Sequence, residues 1–161
     1  MSDAVHSLLK RELARYLSVD SDEIVIAKDD KGRPYIDGMD DIFISLSHSY
    51  GVVMCAFSDT PVGVDIELIQ KRRKSVERRV FTDGESSLID SAKDEDKAFF
   101  TLWTLKESYL KAIGTGFLDN AKETEFFSLD LPIKSNRTEY SFEIGERDGF
   151  VYSVCEKNSV K

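Results

Sequence analysis

Cysteine and histidine are scarce in this sequence, which has two of each among its 161 residues. The two cysteines, Cys55 and Cys155, are far apart in the chain, so no zinc-binding spacing can form. Both lie in apolar, strand-like runs. We therefore expect free buried thiols in a reducing cytoplasm, with a disulfide as the alternative.

Long hydrophobic runs and an excess of positive charge are also missing. No stretch approaches the ~20 apolar residues of a membrane span, and the N-terminus lacks the basic and apolar regions of a signal peptide. The net charge of −8 argues against general nucleic-acid binding. We expect a cytoplasmic protein that binds neither membrane nor nucleic acid.

The residues that are present predict a folded α+β protein. A hydrophobic content of 41%, with 10 Phe and 6 Tyr, indicates one globular domain over residues 1–161. Helical spacing predicts a helix over 3–17, with Ser2 as its cap, and a long helix over about 95–113 that stops at the glycines of 114–116. Strands are predicted at 23–27, 42–47, 52–57, 62–67, 126–131, 139–144 and 150–156. Their short connections indicate an antiparallel sheet packed on one long helix.

Two carboxylates lie two positions apart in the strand-like "VGVDIE" (62–67). Side chains at i and i+2 share one face of a strand, so Asp65 and Glu67 point the same way. Two like charges ~4 Å apart repel by ~1 kcal/mol in water and by ~4 kcal/mol near a protein surface. The pair therefore requires a positive charge opposite it.

The long helix adds a third carboxylate. Trp103, Glu107 and Lys111 follow each other at intervals of four residues and share one helix face. The plainer interpretation is an exposed Glu–Lys pair that contributes ~0.3–0.5 kcal/mol. The functional one is a charged face next to the apolar stripe of the helix.

The stretch "SLSHSYG" (45–51) places His48 between Ser47 and Ser49, where the chain is predicted to turn. Three small donors in one turn would suit a phosphate group, whereas a lone histidine is more often structural. The "KGRP" stretch (31–34) reads as an ordinary turn in isolation.

Taken together, the three carboxylates favour a hard cation. Asp65, Glu67 and Glu107 offer only oxygen ligands, which Mg²⁺ prefers while it retains waters and takes further oxygens from substrate phosphates. Lys111, one turn after Glu107, could hold a phosphate oxygen. A divalent metal would thus supply the missing positive charge.

Four motifs, in order along the chain, resemble the Sfp-type 4'-phosphopantetheinyl transferases. They are "KGRPYI", "FISLSHS", "VGVDIE" and "LWTLKESYLKAIGTGF", and they span residues 31–118. The resemblance implies a half-fold of this family. It also implies transfer of the phosphopantetheine arm of coenzyme A to a serine of an acyl or peptidyl carrier protein, with release of 3',5'-ADP.

The resemblance also assigns roles at the reacting centre. Asp65, Glu67 and Glu107 would ligate Mg²⁺ together with the coenzyme A pyrophosphate, and Lys111 would grip that pyrophosphate. Glu107 would in addition act as the base for the carrier serine, directly or through water.

For the rest of coenzyme A, the resemblance assigns His48 and Ser47 to the 3'-phosphate. Arg33 and Pro34 stand where the family's Gly-Lys-Pro meets the adenine. Arginine at this position keeps the charge of lysine but changes the geometry.

The segment from Lys71 to Arg79 has six basic residues and one acidic, a net +5 that leaves −13 on the remainder. It could be a solvated basic face. The resemblance favours a docking surface for an acidic acyl or peptidyl carrier protein of fatty acid, polyketide or peptide synthesis.

One departure concerns size. Sfp-type enzymes are usually pseudo-dimers of two similar halves, and only a helix and one strand precede "KGRP" here, which is closer to the small trimeric holo-acyl-carrier-protein synthases. We therefore expect a homo-oligomer or a partner subunit that completes the site. The alternatives are a non-catalytic module that binds coenzyme A or carrier protein, and a Mg²⁺-dependent phosphohydrolase on another fold.

Overall fold

The computed structural model describes residues 3–115 and 121–159, over which four helices and nine strands form. The helices are α1 (Asp3–Leu17), α2 (Lys74–Val80), α3 (Asp83–Ser91) and α4 (Glu95–Ile113). The strands are β1 (Ile26–Lys28), β2 (Pro34–Ile36), β3 (Phe43–Ser49), β4 (Val52–Ser58), β5 (Val62–Leu68), β6 (Phe126–Ser128), β7 (Lys134–Ser135), β8 (Tyr140–Arg147) and β9 (Phe150–Lys157). The predicted α+β class is confirmed.

The strands form four small antiparallel sheets: β1–β2, β3–β4, β5–β9–β8 and β6–β7. The strands predicted at 139–144 and 150–156 form an antiparallel hairpin, β8 with β9. Its two turn residues, Asp148 and Gly149, both have positive φ, 52° and 81°, as a two-residue turn matched to strand twist requires.

Helix α4 begins and ends at the residues that the sequence predicts. The side chain of Asp94 accepts the backbone N–H of Lys97 at its start, and Gly114 closes it in the left-handed conformation with φ 72°. The predicted stop also included Gly116, which lies outside the described residues. The helix packs on β5 and β9.

Gly63 permits the close packing of α4 on β5. A Cβ at this position would lie 1.9 Å from the carbonyl oxygen of Ser108 and 2.6 Å from the backbone nitrogen of Ala112. Only glycine lets the helix backbone come this close to the strand. The approach places one face of α4 over the Asp65 side of β5.

Two hydrophobic cores result. The larger surrounds α4 and includes the buried residues Phe99, Leu102, Leu105 and Phe142. The smaller lies under α1 and joins it to β1–β3; its buried members are Leu9, Leu13, Ile24, Ile36 and Ile44. The predicted helix over 3–17 is confirmed, while its proposed cap Ser2 lies outside the described residues.

Several strand boundaries differ from the prediction. The strand expected at 23–27 starts only at Ile26, because the Asp20 side chain accepts the N–H of Asp22 and caps a single helical turn, Ser21–Glu23. The turn expected at 31–34 is followed closely by a strand, since its last residue, Pro34, begins β2. The strand expected at 126–131 shortens to β6, whose pairing with β7 is irregular.

The neighbour of β5 also differs. We predicted three consecutive antiparallel strands, but β5 forms its ladder with β9 rather than with β4. Its other side faces β3, whose serine side chains accept the N–H groups of Val64, Ile66 and Leu68. The rising order of both partners shows that β3 and β5 run in the same direction.

Both cysteines are free, as predicted. Cys155 is buried and Cys55 is half-buried, and burial raises the pKa of both thiols. Among the described helices, none has the length and apolar character needed to cross a membrane.

Candidate active site

Asp65 is a buried carboxylate in the middle of β5, with 4% of its surface exposed. Its Oδ1 atom accepts the Ser47 hydroxyl at 2.7 Å and the Lys111 ammonium at 2.7 Å. Its Oδ2 atom is buried and has no hydrogen-bond partner among the described residues. One oxygen is thus saturated and the other is open, a costly state unless a ligand binds there.

Glu67 lies two residues further on the same face, as the strand period predicts. It is half-buried, and its Oε2 accepts the Ser49 hydroxyl at 2.9 Å. Burial raises the pKa of both Asp65 and Glu67, and the hydrogen bonds and Lys111 oppose that rise.

Glu107 enters the site from α4. Within residues 3–115 and 121–159, neither a hydrogen bond nor an ion pair reaches its carboxylate. Burial, together with repulsion from Asp65 and Glu67, raises the pKa of Glu107 to about 7, and Lys111 opposes that rise. The group therefore titrates close to neutral pH.

Lys111 bridges α4 and β5 instead of pairing along its own helix. Its Nζ donates to the Val64 carbonyl at 3.1 Å and to Asp65 at 2.7 Å. The interpretation of Glu107 and Lys111 as an exposed helix pair is therefore wrong. The lysine supplies part of the positive charge that Asp65 requires.

The three carboxylates fit a divalent cation by their chemistry. They offer only oxygen donors, two of the three come from one strand face, and a buried oxygen of Asp65 is open. Over the described residues, no group of three or more His, Cys, Asp or Glu is already arranged as a metal cluster. The side chains of Glu67 and Glu107 would have to converge on Asp65 when a cation binds.

A cavity of about 370 Å³ adjoins Lys111. It is lined in part by Lys31, Arg33, Pro34 and Thr115, so the β1–β2 hairpin faces the end of α4. The Arg33 guanidinium donates to the Ala112 carbonyl at 3.2 Å. The "KGRP" turn is thus attached to the helix that carries Glu107, which its sequence alone did not indicate.

A smaller cavity of about 200 Å³ lies on the Glu67 side. Its walls include Tyr50, Phe100 and Trp103 together with Arg73. One cavity thus contains Lys111 and Arg33 in its lining, and the other contains Glu67 beside aromatic side chains.

The structure does not bring Ser47 and His48 together. Strand β3 continues through Ser49, and the chain turns only at Tyr50 and Gly51, both with positive φ. His48 is therefore exposed on one face of β3, while the Ser47 and Ser49 side chains are buried on the other. The expectation of three donors in one turn is wrong.

The basic segment is also not uniform. Arg72 is buried and its guanidinium pairs with Glu77, Asp90 and Glu95. Three other arginines of the segment, Arg73, Arg78 and Arg79, are exposed. The structure thus separates one structural arginine from an exposed basic face, a distinction that composition could not make.

Lys106 and Glu85 form a buried ion pair that sequence reasoning missed. Their charged atoms lie 2.9 Å apart, and both side chains are fully buried. Glu85 also forms the capping box at the start of α3 with Thr82. The lysine that precedes Glu107 in "WTLKES" was the available signal.

Comparisons with known proteins point to one family. The family model of the 4'-phosphopantetheinyl transferase superfamily matches residues 61–156, which include β5, α4 and β9. The 4'-phosphopantetheinyl transferase gsp of Aneurinibacillus migulanus is 37% identical over 123 residues, covering 72% of this chain and 51% of the relative. Sfp of Bacillus subtilis is 33% identical over 111 residues, covering 68% of this chain and 50% of the relative.

HetI of Nostoc is 32% identical over 121 residues, covering 70% of this chain and 51% of the relative. The chain therefore spans about half the length of these curated relatives. Among solved structures, the holo-[acyl-carrier-protein] synthase of Thermotoga maritima matches with a TM-score of 0.51 at 19% identity, over 62% of this chain and 64% of that one. This last likeness supports the fold.

Proposed function

Because the chain belongs to the 4'-phosphopantetheinyl transferase superfamily, we propose that residues 1–161 form one transferase domain. It moves 4'-phosphopantetheine from coenzyme A to a serine hydroxyl of an apo acyl or peptidyl carrier protein. The serine oxygen forms a bond to the β-phosphorus of coenzyme A, the bridging pyrophosphate bond breaks, and 3',5'-ADP leaves.

The strongest support is the open carboxylate cluster on β5 and α4. Asp65 has one saturated and one open oxygen, and Glu107 has a carboxylate without a donor in the described part of the chain. Asp65, Glu67 and Glu107 would hold Mg²⁺ together with the pyrophosphate of coenzyme A. Bound there, the metal would neutralise negative charge that develops on the bridging oxygens.

The protein's own groups supply the rest of the chemistry. Glu107 accepts the proton of the carrier serine, directly or through one water, as a general base positioned by α4. Lys111 lies 2.7 Å from Asp65 and stabilises the adjacent phosphate oxygens as a point charge.

Coenzyme A is assigned to the 370 Å³ cavity beside Lys111. Arg33 and Pro34 would contact the adenine from the β1–β2 hairpin. His48 remains our candidate for the 3'-phosphate, and its exposed position on β3 leaves it accessible. The same role for Ser47 stays a prediction, although its hydroxyl already contacts Asp65.

The carrier protein is assigned to the exposed basic face of Arg73, Arg78 and Arg79. Acidic carrier proteins complement such a face, which steers association more than it adds affinity. Arg73 also lines the aromatic cavity next to Glu67, so this face continues to the reacting centre.

A second subunit is part of the proposal. Coenzyme A carries several negative charges, and Lys111, one of the cations at the cavity, already pairs with Asp65. A further copy of the chain, or a partner, would supply more cations; our candidates are Lys10, Arg11 and Arg15 of α1. The two free thiols fit a cytoplasmic location.

The direct test is incubation with coenzyme A, Mg²⁺ and a panel of apo carrier proteins, followed by intact-mass measurement of the carriers. We expect one carrier to gain the phosphopantetheine mass, and the gain to disappear with EDTA or in Asp65→Asn and Glu107→Gln. Binding of coenzyme A and carrier without a mass gain would show a non-catalytic module instead. Release of phosphate from nucleotides without a carrier would show a phosphohydrolase.

A further inference from the structure

A row of three serines connects β3 to β5. Ser45, Ser47 and Ser49 alternate along one face of β3 and are buried. Each hydroxyl accepts a backbone N–H of β5, at distances of 3.0, 3.3 and 3.3 Å. The serines thus take the place of backbone acceptors between two strands that share no ladder.

Two of the three hydroxyls have a second contact. Ser47 donates to Asp65 Oδ1 at 2.7 Å, and Ser49 donates to Glu67 Oε2 at 2.9 Å. A hydroxyl has a single proton, so the accepted N–H leaves that proton for the carboxylate. Ser45 stands one step earlier in the row, where the corresponding residue of β5 is Gly63 and offers no carboxylate.

We infer that Ser47 and Ser49 are positioning residues that select which oxygen of each carboxylate is left for the metal. This inference rests on the proposed function. Ser47 holds Asp65 by Oδ1 and leaves Oδ2 open, and Ser49 holds Glu67 by Oε2 and leaves Oε1. Each serine is itself held by a backbone N–H of the strand that carries its carboxylate, so the oxygen left for the metal is selected before Glu67 and Glu107 converge on Asp65.

The physical benefit is preorganisation. A free carboxylate samples several rotamers, and ordering it costs free energy when the metal binds. Groups that hold metal ligands typically contribute 10- to 100-fold to metal affinity. The same donors also offset the repulsion between Asp65 and Glu67 in the empty site.

Ser45 provides a matched control within the same row. Ser45→Ala, Ser47→Ala and Ser49→Ala each remove a hydroxyl that accepts one N–H of β5, so each should lose stability in urea unfolding through that shared contact. Only the last two also release a carboxylate. The comparison therefore separates the contribution of the serines to the contact between β3 and β5 from their effect on the carboxylates.

The test is Mn²⁺ binding by electron paramagnetic resonance, with coenzyme A present and a protein-free coenzyme A blank. We expect Ser47→Ala and Ser49→Ala to bind Mn²⁺ about tenfold or more weakly than wild type, and Ser45→Ala to bind it as wild type does. If Ser47→Ala does not fold, the test rests on Ser49→Ala, whose serine is the last residue of β3.

Asp65→Asn in the same series distinguishes failure of the positioning role of the serines from failure of the metal site itself. Loss of Mn²⁺ binding in Asp65→Asn, with Ser47→Ala and Ser49→Ala equal to Ser45→Ala, would overturn the positioning role and leave the proposed function intact. Wild-type Mn²⁺ binding in Asp65→Asn would instead overturn the metal site on which the proposed function depends.

Discussion

Lys106 and Glu107 are neighbours on α4, yet they belong to two opposite kinds of charged cluster. The ammonium group of Lys106 is fully buried and fully satisfied: it contacts the Glu85 carboxylate at 2.9 Å and the carbonyls of Ala121 and Thr124 at 2.6 Å each. These partners come from α3 and from the segment that follows α4, so this saturated cluster joins three parts of the fold.

The open cluster of Asp65, Glu67, Glu107 and Lys111 lies on another face of the same helix. It has three carboxylates for one ammonium, a buried Asp65 oxygen without a described partner, and a Glu107 pKa of about 7. Burial alone therefore does not identify a functional charge. A charge that is buried without sufficient partners marks a candidate functional site, because a bound cation can offset its cost.

The largest expected effect comes from breaking the saturated cluster. Lys106→Met leaves Glu85 buried without its cation, so we expect a loss of about 3–5 kcal/mol in the free energy of unfolding. Urea unfolding at pH 7 without metal measures it. Lys111→Met is the matched control: its side chain is 31% exposed, and we expect a clearly smaller loss. Equal losses would erase the distinction between the clusters.

A smaller effect should come from neutralising the open cluster. The folded-state pKa of Glu107 is about 7, above its ordinary value of 4.5, so the folded protein keeps this proton to higher pH than the unfolded chain does. The stability from the protonated group is present below pH 4.5 and is lost as pH rises through 7.

Glu107→Gln removes this dependence. Without metal, we compare the free energy of unfolding of the variant with that of wild type. From pH 5 to pH 8 this difference should shift in favour of the variant, by about 3 kcal/mol at most. Unfolding in urea at the two pH values measures the gain. Glu143→Gln, an exposed carboxylate on β8, should show no such change. A difference between Glu107→Gln and wild type that stays constant with pH would contradict the account.

The smallest effect concerns the exposed basic face. Reversal of Arg73, Arg78 and Arg79 to Glu should raise the KM for the carrier protein by about tenfold, ~1.4 kcal/mol, and leave the KM for coenzyme A nearly unchanged. Because exposed charges are screened over ~8 Å at physiological salt, the wild-type KM for the carrier should rise with salt.

Arg147→Glu, at the exposed end of β8, is the matched control for this reversal. Arg72 is left out of the reversed set because it is buried in ion pairs, and its replacement would test folding instead. If the KM for the carrier changed neither with salt nor with the triple reversal, the basic face would be a solvated surface that does not bind the carrier protein.

Local rules account for what the sequence predicted well. The ends of α4 follow from Asp94 and Gly114, and the common direction of Asp65 and Glu67 follows from the strand period. The prediction that His48 lies in a turn was wrong, because β3 continues to Ser49 and the chain turns only at Tyr50 and Gly51.

Contacts between distant segments could not be predicted. The serines of β3 meet β5 because the two strands lie side by side, although the connection between β4 and β5 suggested another neighbour. Likewise, Lys106 and Glu85 are 21 positions apart, and nothing local links a capping residue to a lysine on another helix. The alternation of Ser45, Ser47 and Ser49 was visible but had no assigned partner.

In the proposed function, the open cluster binds Mg²⁺ and coenzyme A together. Calorimetric titration of coenzyme A into the protein, with Mg²⁺ and with EDTA, measures this coupling. We predict that Mg²⁺ lowers the Kd for coenzyme A at least tenfold, about 1.4 kcal/mol of coupling, that coenzyme A tightens Mg²⁺ by the same factor, and that Asp65→Asn and Glu107→Gln abolish the coupling. An equal Kd for coenzyme A with Mg²⁺ and with EDTA would contradict the claim.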